Sequence, residues 1–378
     1  MKVIYTVDAV RQPMTGVGRY TLELARALAR QSGVSLTFMQ GSRHLDALPV
    51  PAAGHPFVPV LRNALSGFSL PTAVYRHQLG LRRARALRGH AEAIFHGTNY
   101  YLPVFPGRSI VTIHDVSAFT APEYHRPDRV RYMHKEVALA VRRAARILTV
   151  SEFSKAEITR VLGVDPDRIR VTPLGIGPEF HPHEPAALKA ALSGLPVQPG
   201  GYCLSVGTVE PRKNLTVLLD AFASLPAQQR QRCPLVLAGD RGWESADLHR
   251  QISRAVRDGW LIYLGYVPDR QLPALMAGAR LFVYPSLYEG FGLPPLEAMA
   301  SGVPVVCSDA PALAEAGGDA ARMVSPHDPR SLAEAIAQGL DDETWREQAR
   351  ARGLNRAARF SWERCAQLTG AAYRELAA

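Results

Sequence analysis

Short runs of apolar and β-branched residues recur along the chain, separated by stretches whose apolar positions follow a helical period. In the first half the runs are Lys2–Asp8, Val34–Gln40, Ala91–His96, Ser109–Asp115, Arg146–Ser151 and Arg168–Leu174. In the second half they are Tyr202–Thr208, Pro234–Asp240, Trp260–Val267, Arg280–Ser286, Val303–Asp309 and Ala321–Ser325. Near-continuous apolar strands alternating with helices predict parallel sheets covered on both faces. Two such sets predict two doubly wound, Rossmann-like α/β domains. Between them lies Gly175–Gly201, rich in Pro and Gly, which reads as a linker holding one short helix. The expected organisation is a first domain over 1–175, a linker over 176–200, a second domain over 201–360 and a closing helix over 361–378. In such folds ligands sit at the carboxyl ends of the strands, so a ligand is expected in the cleft between the domains and its binding residues just after the apolar runs.

The 378 residues suit two domains. The opening MKVIYTVDAV turns polar at once, as a buried first strand does and a secretory signal does not. No apolar run reaches the roughly 18 residues a membrane-spanning helix needs. Cys203, Cys233, Cys307 and Cys365 have neither metal-ligand nor CxxC spacing and read as reduced core thiols of a cytoplasmic protein. The net charge of +10 is concentrated in two helix-like stretches, 76–88 and 126–146. These are either solvated helix faces or a peripheral contact with the anionic inner face of a membrane. Nucleic acid is disfavoured as a partner, because no aromatic-rich sheet motif or zinc module accompanies the charge.

The strongest chemical signal is Glu289-Gly-Phe-Gly-Leu-Pro-Pro-Leu-Glu297, directly after a strand. Pro294 and Pro295 suit the first turn of a helix, which would place Glu297 in that turn and Glu289 on the loop leading in. Gly290 and Gly292 let backbone approach a ligand closely. A helix N-terminus there suits phosphate, and the two carboxylates can accept hydrogen bonds from sugar or ribose hydroxyls. Arg212 and Lys213 follow another strand, within Gly207-Thr-Val-Glu-Pro-Arg-Lys-Asn-Leu215, where two cations can neutralise a leaving diphosphate. Asn214 is expected to cap the following helix. Gly16 and Gly18 open a helix after the first strand, but Thr21 occupies the place of a third glycine, so the dinucleotide fingerprint fails. His114 ends a strand and could bond a sugar hydroxyl, with Asp115 orienting its ring. His96-Gly-Thr-Asn99 ends another strand and is read as acceptor-side scaffold. Gly239-Asp-Arg-Gly-Trp243 and Gly265-Tyr-Val267 also follow strands and are candidates for contact with a nucleotide, with core packing the competing reading for Tyr266 and Val267.

The run from Tyr284 to Ala300 resembles the Glu-x7-Glu signature of the retaining GT-B glycosyltransferases of family 4, and the likeness extends over almost the whole chain. That resemblance implies two Rossmann-like domains facing a central cleft. It implies that Glu289 contacts donor-sugar hydroxyls, that Phe291 and Gly292 help hold the sugar, and that Glu297 contacts the ribose. It implies further that Arg212 and Lys213 bind the diphosphate, that the Gly16–Gly18 loop reaches it, and that His114 lies near the reacting sugar. Thr208, Tyr266, Val267, Gly290 and Leu293 complete the expected donor-binding set. Within the family the motifs look most like bacterial O-antigen mannosyl- and rhamnosyltransferases, implying a GDP-sugar donor and a lipid-linked saccharide acceptor. No Asp-x-Asp run stands at a strand end, and Asp341-Asp342-Glu343 reads as a solvated turn between helices. No His/Cys/carboxylate cluster has metal spacing, so neither a metal nor another cofactor is expected. Alternative readings are a UDP-sugar donor, a soluble sugar-phosphate acceptor, and a non-catalytic nucleotide-sugar binding protein.

Overall fold

A computed structural model describes residues 1–49, 69–242 and 246–377, with side chains described outside 69–77. Trp243 and the first two side chains of the basic stretch 76–88 therefore lie outside the described residues.

The first sheet contains β1 (Lys2–Thr6), β2 (Ser35–Gln40), β3 (Arg43–Leu45), β4 (Ile94–Gly97), β5 (Arg108–Thr112), β6 (Arg146–Thr149) and β7 (Ile169–Val171), in the order β3-β2-β1-β4-β5-β6-β7. All its pairings are parallel except β2 with β3. The second sheet is wholly parallel. It contains β8 (Cys203–Val206), β9 (Leu235–Ala238), β10 (Leu261–Gly265), β11 (Leu281–Tyr284), β12 (Val305–Ser308) and β13 (Ala321–Val324), in the order β10-β9-β8-β11-β12-β13. Every apolar run of the sequence thus holds a strand. The short β3 was not expected: Arg-His-Leu carries no apolar alternation, and a hairpin turn at Gly41 (φ +61°) places it on the sheet edge.

The strand order reverses direction beside β1 and again beside β8. Loops that leave β8 and β11 diverge to opposite faces, opening a crevice at the carboxyl ends of these two neighbours. Both acidic and basic motifs of the second half lie on those two loops.

The chain forms two compact units, one of 1–150, 154–173 and Trp362 onward, the other of 151–153 and 174–361. Two expectations need correction. Residues 176–200 do not stand apart as a linker but belong to the second unit: their helix Pro185–Ala191 buries Leu188, and Gly200 N donates to Gly278 O at 2.8 Å. The closing helix, Trp362–Ala377, belongs to the first unit, where Tyr373 is fully buried and the Trp362 ring lies 6.4 Å from that of Tyr20. Apolar packing explains both, since each segment carries an apolar face that a free linker would leave in water. All four cysteines are free and buried. Asp342 caps the helix Glu343–Ala357 by accepting from Trp345 N at 2.9 Å, so Asp341–Glu343 is a junction between helices. Among the described residues no helix is long and apolar enough to cross a membrane.

Candidate functional site

The crevice of the second unit is built from loops that glycine alone permits. A Cβ on Gly239 would meet Gly207 O at 1.8 Å, so the loops after β8 and β9 touch backbone to backbone. After β8 the chain makes a 3-10 turn at Pro211–Lys213 and passes through Asn214 in the left-handed region (φ 55°). Asn214 does occupy the N-cap position of the helix Leu215–Ala223, yet its side chain caps nothing there. Its amide instead donates to Pro285 O at 3.1 Å and Pro326 O at 2.6 Å, pinning the β8 loop to the loops after β11 and β13. A left-handed backbone turns the side chain away from the helix amides, so the expected cap fails.

That pinning brings three expected residues together. Lys213 Nζ donates to Glu289 Oε1 at 2.7 Å, and Arg212 Nη1 donates to Glu289 Oε2 at 2.5 Å. Arg212 Nη2 also binds Glu210 Oε1 at 2.7 Å, and Nη1 reaches Tyr288 O at 2.9 Å. Two further side chains enter the cluster. The Tyr284 hydroxyl donates to Glu289 Oε1 at 2.9 Å and accepts from Lys213 Nζ at 2.5 Å. Ser286 Oγ donates to the same Oε1 at 2.6 Å. Burial pushes the Glu289 carboxyl up, but the charges of Arg212 and Lys213 outweigh it and hold it at about 2. Burial, aided by the Arg212 charge, lowers Lys213, and burial beside Glu289 raises the Tyr284 phenol well above its ordinary value. The cluster is therefore two cations around the firmly ionised Glu289, with the Glu210 carboxylate on the far side of Arg212. Glu210, Tyr284 and Ser286 had no role in the sequence reading, although all three lie within its motifs. Their signal was the polar residue at a strand's carboxyl end.

Glu297 is buried, but in the second turn of the helix Leu293–Ala300 rather than the first. Gly292, with φ +117°, is the N-cap, so the helix begins one residue before the proline pair. A Cβ on Gly292 would meet Leu313 Cδ2 at 2.7 Å, which makes glycine necessary there twice over. Phe291 and Leu293 are buried, Phe291 with its ring edge-on to Phe360 at 5.7 Å. Val267 is buried, whereas Tyr266 and Thr208 are exposed. Gly290 gives its carbonyl to Ser151 Oγ at 2.7 Å.

In the first unit Gly16 opens the helix Gly16–Ala29, and Thr15 caps it by accepting from Gly18 N at 3.2 Å. Gly16 faces open space, while a Cβ on Gly18 would meet Ala9 O at 2.7 Å and Met14 Sδ at 2.8 Å. His114 donates from Nε2 to Thr98 O at 3.1 Å and meets the Tyr20 ring edge-on at 4.7 Å. Burial lowers its pKa, so the ring is neutral and Nδ1 is an acceptor. Asp115 does not orient that ring: its Oδ1 accepts from Ser117 N at 2.9 Å and Ser117 Oγ at 2.6 Å, closing a local turn. His96 is a core residue rather than acceptor scaffold, fully buried between Tyr373 Oη at 2.6 Å and Thr112 Oγ1 at 2.9 Å, and burial lowers it to about 3. Among the described residues no cluster of three metal-type side chains occurs.

The model of glycosyl transferases group 1 matches residues 197–356, and that of glycosyltransferase family 4 matches 14–180. The chain is 44% identical over 381 residues to O-antigen chain mannosyltransferase B of Escherichia coli, covering 100% of both proteins. Similar solved structures include a sucrose-phosphate synthase from Thermosynechococcus elongatus, with TM-score 0.74, 20% identity, and 99% and 98% of the two chains covered. Anabaena Alr3699/HepE in complex with UDP-glucose is similar at TM-score 0.74 and 18% identity, with 100% of both chains covered. At these identities the two structures bear on the fold alone.

Proposed function

The chain belongs to the group 1, family 4 glycosyltransferases, and from that premise we propose that it transfers mannose from GDP-mannose to a lipid-linked saccharide in O-antigen assembly. Retention at the anomeric carbon and independence of a divalent metal belong to the same proposal; GDP-rhamnose is the second donor. The sugar and pathway rest on the 44%-identical O-antigen mannosyltransferase. The chemistry rests on one observation: Arg212, Lys213 and Glu289 meet in a single ion cluster beside the switch point of the second sheet.

A departing nucleoside diphosphate gains charge as its bond to the sugar breaks. Arg212, Lys213 and the backbone amides at the Gly292 end of the helix supply positive charge without a metal. The acceptor hydroxyl attacks the face the diphosphate leaves, and its proton passes to a phosphate oxygen of that group. Glu289 accepts sugar hydroxyls, Glu297 accepts ribose hydroxyls, and His114 Nδ1 accepts a further sugar hydroxyl. Thr208, Gly290, Phe291, Leu293, Tyr266 and Val267 shape the donor site, and in the first unit the Gly16–Gly18 turn offers backbone to phosphate. The exposed Arg82, Arg85 and Arg88, with Arg129, Arg131, Lys135 and Arg142, hold the protein at an anionic cytoplasmic leaflet, where the acceptor resides, whereas Arg83 is buried against Asp8. Vesicles with anionic lipid should bind the protein more tightly than neutral ones; equal binding removes that part.

A thermal-shift panel of GDP, UDP, ADP, CMP and TDP tests the donor. A nucleotide at 100 times its Kd stabilises by about 2.7 kcal/mol, and GDP should stand out. Transfer from GDP-mannose to a lipid-linked acceptor should follow. A shift with UDP alone, or binding of every donor without turnover, overturns the proposal.

A further inference from the structure

Glu289 Oε1 is saturated by its own neighbours. It accepts from Lys213, Tyr284 and Ser286, and Oε2 accepts from Arg212. A carboxylate offers about four lone-pair positions. A sugar hydroxyl can therefore be accepted only at Oε2, beside Arg212 or in its place.

The four donors are not equivalent. Arg212 and Lys213 are cations on long side chains, and a diphosphate competes for both. Tyr284 and Ser286 are neutral, almost fully buried and short of alternatives. The Tyr284 ring stacks on Phe282 at 6.0 Å, at the end of β11. Its single proton goes to Glu289, so its oxygen accepts from Lys213, whose ammonium also lies 4.9 Å from the ring centroid. Ser286 shares its proton between Glu289 and Arg212 O, at 3.0 Å, and its carbonyl is held by Ser308 Oγ at 2.5 Å. Neither hydroxyl carries a charge for which an incoming diphosphate competes.

Resting on the donor-site reading above, we propose that Tyr284 and Ser286 are positioning residues. They keep Glu289 Oε1 in place when Arg212 and Lys213 leave it for the diphosphate, which turns Oε2 over to a hydroxyl of the donor sugar. The Tyr284 oxygen is also the fixed point about which the Lys213 ammonium swings. Neither hydroxyl touches the sugar, and both act through Glu289.

The test is a double-mutant cycle of Tyr284→Phe and Glu289→Gln, with binding of GDP and GDP-mannose and turnover measured for each. Tyr284→Phe removes one oxygen and keeps the packed ring, so the fold survives. Turnover should fall by roughly tenfold to a hundredfold, as for a modest misplacement of a reacting group. The Kd of GDP, which carries no hexose, should change less than about threefold. In the Glu289→Gln background Tyr284→Phe should add almost nothing, because residues that act through one another are non-additive. Ser286→Ala should behave in the same way. Independent, multiplying effects, or loss of GDP affinity in step with turnover, overturn the assignment alone. A wild type that binds no nucleotide hexose overturns both this assignment and the donor-site reading.

Discussion

Replacing Glu289 by Gln removes the carboxylate that Arg212 and Lys213 share while keeping its shape. The expected consequence is divergent: slower transfer but tighter binding of free diphosphate. Glu289 titrates at about 2 instead of 4.5. At 1.36 kcal/mol per pH unit, that is about 3 kcal/mol favouring the ionised carboxylate among its cations. A diphosphate that claims the same cations works against this. Glu210 stays beside both cations in the variant, on Arg212 Nη2 at 2.7 Å, so together they lose only part of their counter-charge. About half the energy, roughly 1.5 kcal/mol, then passes to the incoming anion, which is about tenfold in Kd. Titration calorimetry at pH 7 with inorganic pyrophosphate and with GDP reads this directly. Both should bind the variant about tenfold more tightly than wild type, while transfer falls by about 10² or more for want of the sugar contact. Unchanged or weaker binding of pyrophosphate by a folded variant would refute the idea that Glu289 occupies the cations in advance.

Arg212→Ala and Lys213→Ala should each slow transfer by about 10²–10³, the usual loss when a transition-state charge partner is removed; wild type treated with EDTA is the control and should keep full activity. Gly292→Ala forces a side chain into φ +117° and against Leu313, so a thermal melt should show a loss of at least about 1–3 kcal/mol, together with reduced turnover. His96 sits near 3 in the folded protein against an ordinary 6.5. The unfolded chain takes up a proton below 6.5 that the folded one refuses until about 3, so stability should fall as pH drops through that window, by up to about 1.4 kcal/mol per pH unit. Denaturant titrations of wild type and His96→Gln should differ in that slope, and equal slopes would remove His96 from the account.

Most of the scaffold was legible because parallel strands buried on both faces are written as apolar runs, and each run holds its strand. The Arg212–Lys213 and Glu289 loops were legible for the same reason: they follow strands, and the topology gathers strand ends at a switch point. What escaped depended on backbone conformation or on distant partners. The left-handed turn at Asn214 redirected an amide that a sequence reads as a cap. The left-handed N-cap at Gly292 starts the helix at Leu293, early enough to carry Glu297 just past the first turn into the second. His96 stood at a strand end like His114, and only Tyr373, 277 residues away, made it a core residue. Tyr284 read as another apolar strand position, since its hydroxyl acquires meaning only when the β8 loop brings Lys213 to it.

The return of helix Trp362–Ala377 to the first unit has a consequence for biogenesis. A ribosome delivers the sheet of that unit first, then the whole of the second unit, and only afterwards the helix that buries Tyr20 and satisfies His96. During synthesis the early sheet therefore waits with an uncovered apolar face and a histidine lacking its phenol. Vectorial folding can finish the later-made unit before the earlier-made one. Nascent-chain proteolysis should find the first unit cleavable until the helix Trp362–Ala377 emerges, a window in which a chaperone holding that face has most to offer.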